Sequence, residues 1–208
     1  MNWPDWNGEA CAIVASGPSA KKAGVAALKG RMRVIAIKKS VELAPFSDVV
    51  YGCDGPWWRS VQGLMTFGGL KLAYDRTVCG LEYGIRQIEI PDPSSNELRF
   101  DQIGTVGAGG NSGFQALNLA LQFGADRILL VGSDMNGEHW YGRNNWMQAN
   151  NPDVHCYRRW IKALTDAAPK IAQRGASVIN ASASSELTCF PKMSIGEALQ
   201  SWGMAVAA

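Results

Sequence analysis

A chain of 208 residues with 47% hydrophobic residues and 23 glycines can bury a core of good size, and its length fits one domain. Only 18% of the residues are charged and the formal net charge is +2, which gives no mandate for nucleic-acid or membrane-surface binding. The five cysteines, Cys11, Cys53, Cys79, Cys156 and Cys189, are odd in number, scattered and never paired as CxxC, which argues against a disulfide framework or structural zinc and for reduced thiols.

The start, MNWPDWNGEA, lacks the basic and apolar regions of a signal peptide, and no apolar run reaches transmembrane length, so a soluble cytoplasmic protein is expected. Residues 10–15 read as a buried strand running straight into Ser16-Gly17-Pro18-Ser19, a tight turn with two hydroxyl groups, and a helical stretch over 20–28. Strand, small-residue turn and helix open a doubly wound sheet. The turn is neither a Walker A loop nor GxGxxG, so by itself it is equally a turn that needs only Gly and Pro. Lys21, Lys22, Arg31, Arg33, Lys38 and Lys39 read as an ordinary solvated basic face, because no aromatic or arginine-rich pattern accompanies them.

Residues 33–37 form a second strand, 40–44 a short helix closed by Pro45, and 48–53 a third strand ending at Asp54-Gly55-Pro56. An acidic residue there is placed to meet a ribose, a metal or a substrate hydroxyl, or to cap the next helix, and Trp57 and Trp58 suggest a site wall. Short strands follow over 71–74 and 86–90, then a surface loop over 91–96.

The stretch 104–136, GTVGAGGNSGFQALNLALQFGADRILLVGSDMN, holds a glycine-rich loop, a helix, a strand and an acidic residue at the strand's end. Gly107, Gly109 and Gly110 suit a sharp turn or close approach to a ligand, and Asn111 or Ser112 can cap the helix that begins at Gly113. Such an N-terminus binds anions, because its first amides lack intrahelical partners and the helix dipole is positive there. Phe114, Leu117 and Leu121 at helical spacing lay the helix on a sheet, Gly124 ends it, and 127–131 reads as a buried strand that brings Asp134 to the ligand side.

Residues 137–152 make a long polar and aromatic connection carrying His139, Trp140, Tyr141, Arg143 and Trp146, which we read as a lid. Asp153 opens a helix to about Gln173 that Pro169 is expected to kink or split, with His155 as a capping or packing residue. A strand over 177–180, a helix over 193–202 and a frayed tail over 203–208 complete the chain, and neither a repeat nor a composition shift marks a second domain. The fold class expected is α/β, a single Rossmann-like domain over 1–208 with a mostly parallel sheet flanked by helices.

Three segments in order, CAIVASGPSA, GGNSGFQALNLALQFGADRILLVGSDM, and HWYG followed by VINASASSELTCFP, resemble the bacterial CMP-sialic acid-dependent sialyltransferases. The first two also resemble the MptE-like group, which includes the archaeal-type 6-hydroxymethyl-7,8-dihydropterin diphosphokinases, and short stand-alone chains of this type are familiar among bacteriophage proteins. The sialyltransferase resemblance implies a nucleotide contacted by Gly17, Pro18, Ser19, Asn111, Ser112 and Gly113, with Asn180 and Ser184 or Ser185 closing the pocket, and His139 as general base. The imidazole chemistry agrees with that role, although His139 is also readable as a loop residue stacked among tryptophans. That family places a tyrosine pair before its histidine to stabilise the departing phosphate. Only Asn136, Gly137 and Glu138 stand between Met135 and His139 here, which leaves Tyr141, Arg143 or Tyr157 to take that part.

Three functions follow from these expectations. The favoured one is glycosyl transfer from a nucleotide-activated donor, a CMP-sugar or another, to a hydroxyl acceptor, which can proceed without a metal. Diphosphate transfer from ATP instead needs Mg and carboxylates aimed at it, for which Asp54 and Asp134 are the candidates, with Asp134 also readable as a carboxylate that accepts amides from a neighbouring turn. The third is a nucleotide-binding or phage interaction protein without chemistry, for which the eight tryptophans can build a surface. An oligomer is compatible with each.

Overall fold

The computed structural model describes residues 2–80 and 82–204. Seven parallel strands form one sheet in the order β5-β4-β3-β2-β1-β6-β7, flanked by helices. They are β1 (Ala10–Val14), β2 (Arg33–Ile37), β3 (Val49–Tyr51), β4 (Leu70–Ala73), β5 (Ile85–Gln87), β6 (Arg127–Val131) and β7 (Ser177–Asn180). Beyond the arginines that open β2 and β6, the central strands are apolar because both faces are covered: Cys11, Ile13, Ile128 and Leu130 join one core, while Ala12, Val14, Leu129 and Val131 join the other.

Among the described residues, four α-helices cover the sheet: α1 (Gly55–Ser60), α2 (Ser112–Gln122), α3 (Val154–Gln173) and α4 (Ile195–Ser201). α2 starts where Asn111 Oδ1 accepts the Phe114 amide at 2.9 Å, and packs on β1 and β2. Its polar side chains turn to the incoming segment, with Asn118 Oδ1 accepting the Arg99 and Gly107 amides. A Cβ at Gly107 would stand 1.9 Å from the Glu97 carbonyl, so packing alone requires this glycine. α4 begins with a capping box between Ser194 and Glu197.

Several expectations are corrected. The stretch 20–28 is two 3-10 turns, Pro18–Lys22 and Val25–Leu28, because Gly24 between them takes φ +76. The helix expected over 40–44 is a 3-10 turn, Lys38–Glu42. α3 runs through Pro169 without a break, losing one intrahelical donor near its end. Trp57 and Trp58 are not a site wall: they form α1 with Gly55-Pro56 and lie buried against Ala36, Val50 and Ala73. Trp58 Nε1 donates to the Gly52 carbonyl at 2.8 Å, which allows the indole to be buried. Of the tail expected over 203–208, residues 205–208 lie outside the described residues.

The chain leaves β1 toward β2 and later returns to add β6 on the other side, so the loops following β1 and β6 part above the middle of the sheet. Crevices at such a point are where open parallel sheets hold ligands. Among the described residues, no helix is long and apolar enough to cross a membrane.

Candidate functional site

A cavity of about 590 Å³ opens at the carboxyl ends of β1, β2, β3 and β6. Its walls are the turn at Ser16 and Gly17, Lys38 after β2, Asp54 after β3, residues 110–113 at the start of α2, and the segment after β6. The connection over 137–152 closes one side with His139, Tyr141, Asn144 and Trp146, and α3 adds Cys156, Tyr157 and Trp160.

His139 is held from both ring nitrogens, by Ser16 Oγ at 2.8 Å from Nδ1 and Asn144 Nδ2 at 3.2 Å from Nε2. The protonation state follows from Asn144. Its Oδ1 accepts the Tyr141 hydroxyl at 2.8 Å and its Nδ2 donates to the Asn150 carbonyl at 2.6 Å, so the amide group faces the imidazole. Nε2 therefore accepts, and Nδ1 carries the hydrogen and donates it to Ser16. The ring stacks on Tyr141, with centroids 5.1 Å apart at 17°. Burial, followed by the field of the Lys38 ammonium, holds the His139 pKa below the ordinary histidine value. The site thus presents a neutral imidazole among its lining residues, whose Nε2 lone pair is taken by the Asn144 amide in this conformation. Burial likewise pushes the Tyr141 phenol up to about 12.

Asp134 is 1% exposed. Its Oδ2 accepts the Ser19 hydroxyl at 2.8 Å and the Ser19 amide at 3.2 Å, and its Oδ1 accepts the Ser184 hydroxyl at 3.2 Å. Nearby, Ser185 Oγ donates to the Ser133 carbonyl at 2.6 Å, and Asn180 Oδ1 accepts the Ser182 amide at 3.1 Å. These contacts sew the turn after β1 and the segment after β7 to the end of β6. Gly17 is required at the join, since a Cβ there would stand 2.2 Å from Asp134 Oδ2 and 2.5 Å from the Gly132 carbonyl. Met135 leaves the clasp with φ +59, a left-handed backbone at the cavity edge.

Asp54 differs: its side chain is 54% exposed and ion-paired with Lys38. It occupies the N-cap position of α1 without capping it, because Asp75 Oδ2 accepts the Gly55 amide at 3.0 Å.

Of the residues singled out from the sequence, Gly17, Asp54, Asn111, Ser112, Gly113, Asp134, His139 and Tyr141 meet at the cavity. Pro18, Ser19, Asn180, Ser184 and Ser185 lie outside its lining, the last four within the clasp network, and Arg143 is exposed and also outside the lining. Sequence reasoning missed Ser16, Lys38 and Asn144. Lys38 was assigned to a solvated face, yet it stands directly after a buried strand on the ligand side, which was the signal available.

No family model matches the chain, and no curated protein matches it. Among solved structures it is similar to the sialyltransferase CstII from Campylobacter jejuni, determined in complex with a substrate analogue, CMP-3FNeuAc. The TM-score is 0.52 and the identity 13%, over 89% of this chain and 86% of that one, a likeness that shows a shared α/β fold. The comparisons bring no support for the pterin diphosphokinase resemblance or for a phage origin.

Proposed function

We propose that this chain transfers a glycosyl group from a nucleotide-activated sugar to an acceptor hydroxyl, with His139 as general base. The observation that carries the reading is the pairing, in one cavity, of a neutral imidazole, its Nε2 held by the exchangeable Asn144 amide, with the amino end of α2. The amides of Ser112 and Gly113 have no intrahelical acceptor and suit a phosphate, aided by the helix dipole. That a protein of similar fold was determined with a CMP-sugar analogue makes a CMP-sugar the first donor to try.

In this reaction the acceptor oxygen attacks the anomeric carbon while the bond from that carbon to the phosphate oxygen breaks. The electron pair departs with the nucleotide, and the acceptor proton passes to His139 Nε2, displacing the Asn144 amide from it. Ser16 keeps the imidazole oriented, and loop 137–152, acting as a lid over a single nucleotide-binding unit, excludes water so that transfer outruns hydrolysis. Metal ligation by Asp134 would require releasing Ser19 and Ser184 from its carboxylate, which favours the metal-independent reaction.

A thermal-shift panel of CMP, CDP, UDP, GDP, ADP and ATP, each with and without magnesium, tests the nucleotide. A metal-independent rise with CMP is expected, whereas a rise only with ATP and magnesium would move the assignment to diphosphate transfer. Silence at millimolar ligand would leave a non-catalytic module. His139→Ala should keep the CMP shift and lower donor turnover, including slow hydrolysis of a CMP-sugar with water as acceptor, by about 10²- to 10⁴-fold. Unchanged turnover would remove His139 from the chemistry.

A further inference from the structure

The reaction proposed above leaves negative charge on the nucleotide phosphate, in a cavity whose wall already carries Asp54, Asp134 and Glu138. A phosphate entering such a wall is repelled by these carboxylates, and a cation beside the amides offsets that repulsion. None of the three groups singled out from the sequence for the departing phosphate is free to serve in this conformation. The Tyr141 hydroxyl is given to Asn144, the Tyr157 hydroxyl donates to the Gly137 carbonyl at 2.5 Å, and Arg143 lies exposed outside the lining.

Resting on that reading, we infer that Lys38 is the cation that meets the donor phosphate, and that Asp54 holds its ammonium in reserve until the donor arrives. Among the described residues that line the cavity, Lys38 is the one lysine or arginine. Its position is built: it directly follows β2, takes φ +49, and leads into the 3-10 turn Lys38–Glu42, where Ser40 Oγ donates to the Ala15 carbonyl at 3.0 Å. A left-handed lysine is a strained choice that the surrounding structure must impose. The neighbouring Lys39 has another task, its ammonium lying 4.8 Å from the centre of the Tyr141 ring, so only one lysine of the pair enters the cavity wall.

The partner of Lys38 suits an exchange. The Lys38 side chain is 19% exposed while the Asp54 side chain is 54% exposed, so a phosphate that takes the ammonium releases a carboxylate already half in water. The exchange keeps the less accessible charge paired throughout, and Asp54 returns to solvent at little cost. Lys38 and His139 line the same cavity, so the cation for the departing phosphate and the base for the acceptor belong to one site.

Calorimetric titration of the wild type with CMP, UMP, AMP and GMP, and with the four parent nucleosides, tests the assignment. The wild type should bind one monophosphate more tightly than its nucleoside. Lys38→Met should remove about tenfold or more of that preference, the scale of one charged hydrogen bond, while leaving nucleoside affinity in place as the control for folding. Asp54→Asn should raise monophosphate affinity, because it frees the ammonium. Retention of the full preference by Lys38→Met, or weaker monophosphate binding by Asp54→Asn, overturns the inference alone. A wild type that binds none of the eight compounds overturns the nucleotide reading and this inference with it.

Discussion

At the end of β6, Asp134 is enclosed by groups from two returning segments; at the end of β3, Asp54 has one ion partner and faces water. Each carboxylate follows its parallel strand at the same spacing, toward the same cavity. What differs is how much chain comes back over the strand end. The turn after β1 and the segment after β7 both close on Asp134, whereas α1 departs from β3 with its first amide given to Asp75. An acidic residue at a strand end is thus a fixed clasp or an exchangeable charge according to its neighbours.

The largest effect expected from this difference is on stability. Asp134→Ala should cost about 2 kcal/mol, because it removes a buried acceptor and leaves the half-buried Ser19 amide and hydroxyl without it, while the exposed Ser184 hydroxyl turns to water. Urea unfolding would show it as a lower midpoint with the slope unchanged. A loss under about 0.5 kcal/mol, the range of an ordinary surface substitution, would erase the distinction between the two strand ends.

His139 joins the two regions, since its orientation comes from Ser16 after β1 and part of its electrostatic environment from Lys38 after β2. Its pKa in the folded chain lies below the unfolded value near 6.5. Between those two values the unfolded chain binds more protons, so stability falls as pH drops below about 6.5 and the loss levels off beneath the folded pKa. The acid limb of donor turnover should follow the folded value, because a protonated imidazole cannot accept the acceptor's proton. Following the His139 ring protons by NMR from pH 8 to 4 measures it directly. A midpoint at or above 6.5 would show that neither burial nor Lys38 reaches the base.

Much of this frame was legible in the sequence where the signals are local. β2 and β6 fall at their expected limits because apolar runs of four residues mark strands buried on both faces, β7 follows closely on the Gly175 stop of α3, and Asn111 marks the start of α2 by its own capping bond. What escaped depends on contacts distant in the chain. Trp57 and Trp58 look alike as site wall or core until Gly52 is seen to take the Trp58 indole proton. Lys38 and Asp54 lie far from His139 in sequence, and only the parallel order of β1, β2 and β3 brings the three to one cavity. The helix expected over 20–28 failed for a local reason, since Gly24 in its middle permits the left-handed turn that divides it.

The smallest effect sharpens the comparison from its other side. Asp54→Asn removes a charge of the same kind from the same relative position as Asp134, yet its stability cost should stay within about 1 kcal/mol. The ion pair it breaks is partly exposed and competes with water and salt, and among the described residues the Asp54 side chain caps no helix amide, since Asp75 serves the start of α1. What the pair contributes should also fade with ionic strength, so parallel urea titrations at low and at 0.5 M salt ought to bring mutant and wild type together. A penalty near that of Asp134→Ala, persisting in high salt, would mean that Asp54 is itself a clasp and is not free to release Lys38.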